Sequence, residues 1–410
     1  TPFKTKVYKI MIIEYFATER LKDYYEKVKT FLEQEIHPYE LEWIHMPAKD
    51  VEQIIRNLKN KVMKTGCWNL YHSTQHHGPG LSLVEIAQMC ELLGTTPFGH
   101  LAFNCHAPDA GNMELLLKYG NHTIHQQYAG EILNGNIRSC FSMTEPHLAG
   151  SNPVRLGTTA ELKDGYYEIN GHKWFTSGAD GATFAIVMAI TNPDAPNAYS
   201  RASMIVVPLH LEGVELIRNI SVMGHAGEGL FSHAEIKYNQ VRVPADYILG
   251  NEGQGFFLAQ ERLGPGRIHH CMRWMGIASR CFDMMCKRAV QRQLSEEKSL
   301  GDMQMVQSMI AESKAQMDAT RLYILHTAYK MDRFGQKEVR KDISAIKFTA
   351  SDMLMKVIDR AVQVHGALGI TDDTLLSWYY REERGSRIYD GTDETHKASL
   401  AKQILKEYLA

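Results

Sequence analysis

This sequence lacks the features that are typical of a membrane-spanning protein, a nucleic-acid-binding protein or a disulfide-rich protein. No run of about 18 apolar residues is present, so we predict no membrane span. The 45 Lys and Arg residues are balanced by 47 Asp and Glu residues, and a formal net charge of −2 argues against a broad basic surface for nucleic acid. The seven cysteines include no C-x-x-C pair, and an odd number of scattered thiols is typical of buried residues in a reducing compartment, not of a disulfide scaffold.

Two common ligand-binding motifs are also absent. The 19 histidines include the adjacent pairs His76-His77 and His269-His270, but neighbouring residues on a helix point about 100° apart. Since no H-E-x-x-H run accompanies them, we predict no metal site. The run Gly253-Gln254-Gly255 lacks the third glycine and the βαβ setting of a dinucleotide-binding fingerprint.

The residues that are present fall into three regions with different periodicity. In the first region, apolar residues recur at spacings of three and four from residue 18 to about 58, with an interruption at Pro38, and the part before Pro38 is predicted to be an amphipathic helix. Further helices are predicted over 82–93 and 112–119. In the second region, short β-branched and aromatic runs alternate with turns, at residues 166–169, 184–190, 202–208 and 234–238. Between 166–169 and the residues that follow, the dipeptide Asn170-Gly171 predicts a two-residue hairpin turn.

Long helical periodicity returns in the third region. Helices are predicted over residues 256–293, 303–334 and 342–365, ending at Gly366, with shorter ones near 375–384 and 394–409. Helices of more than twenty residues without heptad regularity favour a bundle over a two-stranded coiled coil. We therefore predict a mainly α protein with a central antiparallel β domain, divided into residues 1–138, 139–251 and 252–410.

Two segments of the middle region carry the most specific motifs. The segment RSCFSMTEPHLAGSN, residues 138–152, begins as a strand and breaks into a loop of small and hydroxyl residues, whose N–H groups can approach an anionic or planar ligand closely. Further along, KWFTSG at residues 173–178 places a large aromatic side chain beside a hydroxyl at a strand end. Each segment alone has a plain interpretation, as a turn and as a structural tryptophan.

Together the two segments resemble the T-E-P-x-x-G-S-[DN] and K-x-W-[IF]-[TS]-[NS]-[GA] signatures of the acyl-CoA dehydrogenase family. Lys173 abuts Trp174 directly and one extra residue precedes Gly150. The resemblance continues through GNEGQGF at 250–256, QVHGALGI at 363–370 and RIYD at 387–390, and so covers essentially the whole chain. It implies the family's fold, with an N-terminal helical domain, a middle β domain and a C-terminal four-helix bundle, and it implies FAD as the cofactor.

The resemblance also implies which residues contact FAD. Thr144 matches the family residue that contacts the pyrimidine edge of the flavin, and Trp174 matches the residue that packs over the isoalloxazine. Thr176 matches the residue whose hydroxyl lies near N5, and Ser151 matches a residue that contacts phosphate. The implied cofactor residues are Phe141, Met143, Thr144, Gly150, Ser151, Trp174 and Thr176, joined across a subunit interface by Gln363, Gly366, Ala367, Thr392 and Glu394. An arginine that relatives carry at that interface is missing, and Lys298 or Arg292 is the candidate replacement.

The catalytic base implied by the resemblance is Asp390. Most family members carry glutamate at this position, and aspartate shortens the reach by one methylene, about 1.5 Å. One branch of the family has the same Asp-Gly-x-Asp-Glu run, and its members tend to use long or branched acyl groups; residues 103–109 and 262–273 resemble that branch too. Some relatives carry the base near the position of Arg267, where residues 264–266 offer no carboxylate. Arg267, Ser151, Tyr389 and Gly391 match substrate contacts.

We therefore expect FAD-dependent α,β-dehydrogenation of a long or branched acyl-CoA to the trans-2-enoyl-CoA. Asp390 takes the α-proton, the β-hydride goes to flavin N5, and an electron-transferring flavoprotein reoxidises the flavin. The interface contacts imply a homodimer or homotetramer, and the family habit favours the mitochondrial matrix in a eukaryote and the cytoplasm otherwise. Two alternatives stay open: an inactive homologue that serves as an acyl-CoA-binding or assembly subunit of a larger complex, and a flavin oxidase or monooxygenase on the same fold.

Overall fold

The computed structural model describes residues 14–76 and 78–409, which form two units. Unit 1 holds the described residues up to His45, Val62–Leu101, and those from Pro265 onward; unit 2 holds Met46–Lys61 and Ala102–Gly264. The predicted domain boundaries, after residues 138 and 251, stay a prediction.

Within the described residues, helices precede and follow the strands, as the periodicity predicts. Among the described residues, no helix combines the length and the apolar character needed to cross a membrane. The α-helices are α1 (Glu19–Glu35), α2 (Glu40–Trp43), α3 (Ala48–Thr65), α4 (Leu83–Leu93), α5 (Gly99–Ala102), α6 (Asp109–Tyr119), α7 (His122–Ile124), α8 (Gly130–Leu133), α9 (Gly255–Gln291), α10 (Gln304–Phe334), α11 (Arg340–His365), α12 (Leu375–Glu383) and α13 (Asp393–Glu407).

Local signals explain several of the helix ends. Ser82 and Glu85 form a reciprocal capping box at the start of α4, which satisfies N–H groups that the first turn leaves unpaired. Gly366, with φ of 65°, ends α11 in a left-handed conformation that suits glycine. Within unit 1, a buried ion pair joins α10 to α4, because both Nε and Nη2 of Arg321 contact the Glu91 carboxylate.

The strands lie between α8 and α9 and form one large sheet and one small pair. In the large sheet the order is β10-β5-β4-β2-β3-β9-β6, with β1 also pairing β4. The pairs β1–β4 and β2–β4 are parallel, while the other pairs of this sheet are antiparallel. The strands are β1 (Ser139–Ser142), β2 (Thr159–Lys163), β3 (Tyr166–Ser177), β4 (Phe184–Ile190), β5 (Ala202–Pro208), β6 (Val214–Asn219), β7 (Ser221–Val222), β8 (His225–Ala226), β9 (His233–Pro244) and β10 (Ile248–Leu249).

The core of unit 2 lies on both faces of the central strand β4. Alternate side chains of a strand point to opposite faces, and in β4 both sets are apolar. Phe184 and Ile186 face a cluster that includes Leu116 of α6, whereas Ala185 and Val187 face the opposite cluster. All seven cysteines of the chain are free thiols and six are buried, which agrees with their prediction as core residues.

The predicted hairpin turn at Asn170-Gly171 is wrong. Strand β3 runs through both residues without interruption, and the tight turn that joins β2 to β3 lies earlier, at Asp164 (φ 49°) and Gly165 (φ 79°). Two-residue hairpins of this type need positive φ at both central residues, which Asp-Gly supplies as readily as Asn-Gly.

Contacts with neighbouring strands explain why Asn170 and Gly171 do not form the turn. The Asn170 side-chain oxygen accepts a hydrogen bond from the Gln240 N–H (2.8 Å), at an irregularity in the pairing of β3 with β9. A Cβ atom at Gly171 would lie 2.2 Å from the Thr158 hydroxyl oxygen, so glycine is needed there for a close approach.

Candidate active site

The loop that follows β1 in unit 2 is held by a buried carboxylate, that of Glu145. Its Oε1 accepts from the Lys173 ammonium (2.9 Å), the Thr158 N–H (2.9 Å) and the Thr158 hydroxyl (2.7 Å), and its Oε2 accepts from the Gly157 N–H (2.7 Å). Burial alone would raise the pKa of Glu145, but Lys173 and these hydrogen bonds outweigh it and lower that pKa. The loop is therefore fixed to β3 through an ion pair that the sequence analysis did not single out.

The two signature segments also contact each other directly, through Thr144 and Trp174. The Trp174 N–H donates to the Thr144 carbonyl (3.1 Å), and the Thr144 hydroxyl donates to the Trp174 carbonyl (2.9 Å). Phe175 follows with φ of 49°, an uncommon conformation for an aromatic residue, where the pairing of β3 with β9 shifts register. Thr144 and Trp174, predicted to contact one flavin, are thus adjacent.

The Thr176 hydroxyl has a protein partner in this structure. Its side chain is fully buried, and its Oγ1 lies 3.2 Å from the Ser142 hydroxyl, which also accepts a hydrogen bond from the Tyr238 hydroxyl (3.0 Å). The predicted role of Thr176 near N5 stays a prediction.

A recess of about 230 Å³ lies against the loop. Its lining includes Met143, Thr144 and Gly150, three predicted cofactor residues, together with Arg155. A Cβ at Gly150 would lie 3.2 Å from the Thr144 methyl group, so a larger residue would press on the recess wall.

Four predicted cofactor residues of unit 2 lie outside this lining, namely Trp174 and Thr176, described above, and Ser151 and Phe141. Ser151 is exposed in the loop. Phe141 lies in β1, with the Arg262 guanidinium 4.3 Å from its ring centre, a cation–π contact. Glu261, the carboxylate that precedes residues 264–266, pairs with the Lys118 ammonium (2.6 Å).

In unit 1, the predicted base Asp390 lies in a tight turn before α13. Asp390 has φ of 55° and Gly391 has φ of 93°, and the carbonyl of Asp390 lies within hydrogen-bond reach of Arg267 Nε (3.4 Å) and His396 Nε2 (3.0 Å). The carboxylate Oδ2 lies 3.2 Å from His270 Nε2, and the Asp390 side chain keeps 21% of its surface exposed. A partly exposed carboxylate on a fixed backbone is suited to accepting a proton.

Tyr389 is predicted to contact the substrate, yet its hydroxyl is occupied by protein. It accepts hydrogen bonds from Arg273 Nη2 and Trp274 Nε1, both at 2.9 Å, and Arg273 also pairs with Glu383. Burial is the main cause that raises the pKa of Tyr389. In this structure Tyr389 anchors the turn that carries Asp390.

The predicted interface residues lie at two helix ends of unit 1. Gln363, Gly366 and Ala367 are exposed at the end of α11. Thr392 caps α13 by accepting a hydrogen bond from the Thr395 N–H (3.2 Å), and Glu394 is exposed in the first turn of α13. The exposure of Gln363, Gly366, Ala367 and Glu394 leaves them accessible to a ligand or a second subunit, while Thr392 is half-buried.

The contact between His270 and Asp390 was not predicted from the sequence, where His270 appeared only as half of a histidine pair. In the structure the two histidines diverge: His269 packs against Tyr71 (ring centres 4.6 Å apart), while His270 contacts Asp390. No local pattern links His270 to Asp390, so only the fold reveals the contact. The other pair includes His77, which lies outside the described residues.

Comparison with known proteins supplies the context for these features. Family models described as the N-terminal, middle and C-terminal domains of acyl-CoA dehydrogenase match residues 18–136, 140–241 and 253–405. A Mycobacterium tuberculosis protein named "Probable acyl-CoA dehydrogenase" is 43% identical over 86% of each chain. A solved structure from Mycobacterium abscessus, assigned to the same enzymes, matches with a TM-score of 0.91 and 33% identity over 95% of this chain and 99% of that chain.

Longer relatives match over part of their length. Acyl-CoA dehydrogenase family member 10 of Mus musculus is 38% identical over 93% of this chain, which spans only 36% of that protein. Acyl-CoA dehydrogenase family member 11 of Homo sapiens is also 38% identical, and this chain spans 50% of it.

Proposed function

Because this chain belongs to the acyl-CoA dehydrogenase family, we propose that it oxidises an acyl-CoA thioester between its α and β carbons, with Asp390 as the base. The observation that carries this proposal is the fixed turn at Asp390, which presents a partly exposed carboxylate while its backbone is held by Arg267 and His396. In the reaction, the α C–H bond breaks and its proton moves to Asp390, the β carbon loses a hydride, and a carbon–carbon double bond forms.

The cofactor of this chemistry is FAD, which accepts the β-hydride when it is bound. The residues of unit 2 fit part of such a group. Thr144 and Gly150 line the recess, and Trp174 is joined to Thr144 by two hydrogen bonds, so an aromatic ring and a hydroxyl loop are held together. The buried Glu145–Lys173 pair makes this arrangement rigid before any ligand arrives.

The finer parts of the proposal rest on resemblance. Residues 103–109 and 262–273 support a long or branched acyl chain, because they resemble the branch of the family that tends to use such groups. The exposed residues at the ends of α11 and α13 support a cofactor contact from a second subunit in a homodimer or homotetramer. Reoxidation by an electron-transferring flavoprotein is part of the same proposal.

Anaerobic reduction tests the function. Purified protein is mixed with straight and branched acyl-CoAs of increasing length, and the long-wavelength flavin absorbance is followed. We expect bleaching with the wild type and loss of bleaching in Asp390→Asn. Asp164→Asn is a matched control, because Asp164 lies in a second Asp-Gly turn with similar φ and is exposed. Protein without flavin, or flavin that no acyl-CoA reduces, would refute the proposal and favour the inactive homologue; rapid aerobic reoxidation with peroxide release would favour the oxidase.

A further inference from the structure

We propose that Arg288 and Arg292, near the end of α9, form a binding site for a diphosphate group, the group that FAD and CoA share. The inference rests on the proposed function, which supplies both molecules as ligands, and it extends that function to Arg288, a residue outside the family signatures discussed above. The observation that carries it is the Nε atom of Arg288, which is buried and has no hydrogen-bond partner among the described residues.

Arg288 differs from the other arginines of unit 1 that are buried or half-buried. Each of the others contacts a carboxylate or, in one case, a backbone carbonyl: Arg267, Arg273, Arg280, Arg321, Arg360, Arg381 and Arg387. The Nε atoms of Arg280 and Arg381 are also buried without a hydrogen bond, but both guanidinium groups have a carboxylate partner. For Arg288, residues 14–76 and 78–409 supply no such partner. A half-buried cation without a counter-charge is unfavourable, which favours a ligand that brings the negative charge.

The neighbouring side chains on α9 do not supply that negative charge. The residues one turn away from Arg288 are Met284, Met285, Gln291 and Arg292, and none is acidic. Arg292 is exposed and lies on the same face, about 6 Å further along the helix axis. The C-terminal end of a helix attracts cations, but this attraction does not explain a buried Nε without an acceptor. Two guanidinium groups on one face can each bind phosphate oxygens through two parallel N–H bonds.

The position of Arg288 in the bundle is close to the end of α11. Burial is the main cause that lowers the pKa of His365, and the charge of Arg288 lowers it further, against a hydrogen bond to the Ala361 carbonyl. The next residues along the chain, Gly366 and Ala367, are exposed and are predicted to contact FAD across a subunit interface. Arg288 thus lies beside residues that the proposed function assigns to the cofactor.

Of the two molecules that contain a diphosphate, FAD is the favoured occupant. Arg267, which matches a substrate contact, lies 21 residues before Arg288 on α9, about 32 Å away along the helix axis. The Arg267 Nε contacts the Asp390 carbonyl, so the reacting part of an acyl-CoA belongs at that distant end of α9. The diphosphate at Arg288 therefore belongs to an FAD that a second subunit binds, and not to a molecule that reacts at Asp390.

The test measures ligand affinity without turnover. Deflavinated protein is titrated with FAD, and the quenching of flavin fluorescence gives the dissociation constant. Arg288→Met removes the charge at similar length, and we expect it to raise that constant roughly 10-fold to 100-fold, since hydrogen bonds to a charged group are lost. Arg288→Lys should lie between the two, because it keeps the charge without the planar fork. Arg340→Met is the matched control, because Arg340 is exposed at the opposite end of α11 from His365, and it should keep wild-type affinity.

Titration of the same variants with CoA distinguishes the two sources of the diphosphate. A loss of FAD affinity alone assigns the site to FAD. A loss of CoA affinity alone keeps the diphosphate site and assigns it to the substrate. Affinities of Arg288→Met for both ligands that equal those of Arg340→Met would overturn the inference.

Unfolding of the deflavinated proteins tests the alternative that Arg288 has only a structural role. We expect Arg288→Met to unfold at the same denaturant concentration as Arg340→Met, because no described residue loses a partner. A lower midpoint in Arg288→Met would indicate a structural contact and overturn the inference. The proposed function fails separately: a wild type that binds FAD which no acyl-CoA reduces would overturn the dehydrogenase and leave this site intact, whereas unchanged affinities in Arg288→Met would overturn only the site.

Discussion

Replacing Lys173 by methionine tests whether the buried ion pair holds the signature loop. The Lys173 side chain is fully buried, its Nζ donates to the Met143 carbonyl (2.8 Å) and to Glu145 (2.9 Å), and burial lowers its pKa to about 8 against the opposing effect of Glu145. Methionine has a similar length and no charge. The substitution therefore removes the cation and leaves the Glu145 carboxylate in place.

The expected change in the free energy of unfolding depends on the hydrogen bonds that Glu145 keeps after the substitution. Removing one partner of a buried pair costs about 3–5 kcal/mol, because the other charge stays buried without its counter-charge. Glu145 keeps three hydrogen bonds from Gly157 and Thr158, so we expect the lower end of that range, about 3 kcal/mol. Since the folded pKa of Glu145 is lowered, its stabilisation is present above the unfolded pKa and is lost as pH falls through the folded pKa, and the cost should shrink in acid.

Two measurements check this expectation. Denaturant unfolding gives the change in free energy, and hydrogen exchange at the Gly157 and Thr158 amides reports the loop itself, since both amides donate to Glu145. Lys163→Met is the control, because the ion pairs of Lys163 with Glu161 and Glu168 lie at the surface, where solvent screening leaves little contribution to stability. If Lys173→Met costs no more than the control and both amides keep their protection, the pair does not hold the loop.

Three further predictions concern stability. Gly171→Ala should cost about 1–3 kcal/mol in denaturant unfolding, because a Cβ there lies 2.2 Å from a neighbouring hydroxyl; no loss would mean that the strand relaxes freely. Burial lowers the pKa of His37 to about 4, so as pH falls the unfolded chain binds a proton before the folded protein does. The free energy of unfolding should therefore decrease as pH drops from about 6.5 toward 4, by up to about 1.4 kcal/mol per pH unit. His37→Gln should reduce this dependence of the unfolding free energy on pH. Tyr389→Phe leaves the Arg273 and Trp274 donors without their shared acceptor and should lower the free energy of unfolding by about 1–3 kcal/mol; an unchanged midpoint in denaturant would contradict this.

The helices could be predicted from sequence because their signals are local. Apolar spacing located α1 and α9–α11 to within a few residues, and Ser82 and Gly366 marked two of the ends. The strands were found for the same reason, as short apolar runs. The pairing of the strands could not be predicted in this way. The parallel pairing of Ser139 with Phe184 joins residues far apart in sequence, and no local property of either run indicates its partner.

In the candidate site, too, local features could be predicted from the sequence and contacts between distant residues could not. Resemblance predicted Thr144 and Trp174 as neighbours around a flavin, and the structure joins them by two hydrogen bonds, while the roles toward FAD stay predictions. The Glu145–Lys173 pair was visible in the signatures as the E and K that flank those residues, but nothing in sequence shows that both side chains are buried and face each other. Contacts of this kind depend on packing in three dimensions.

Two of the three Asp-Gly dipeptides in the chain have positive φ at the aspartate, and they show why a dipeptide alone does not indicate a base. Asp164 and Asp390 have φ of 49° and 55°, each is followed by a glycine of positive φ, and both fit the same local turn chemistry. Asp164 is exposed between two strands, where only the backbone geometry is needed. Around Asp390, by contrast, Arg267 and His396 contact the carbonyl, and His270 Nε2 lies 3.2 Å from the carboxylate. Because these partners come from α9 and α13, the helices of unit 1 surround the Asp390 turn with side chains that no local sequence pattern indicates, and the proposal of Asp390 as the base depends on that setting and not on the dipeptide.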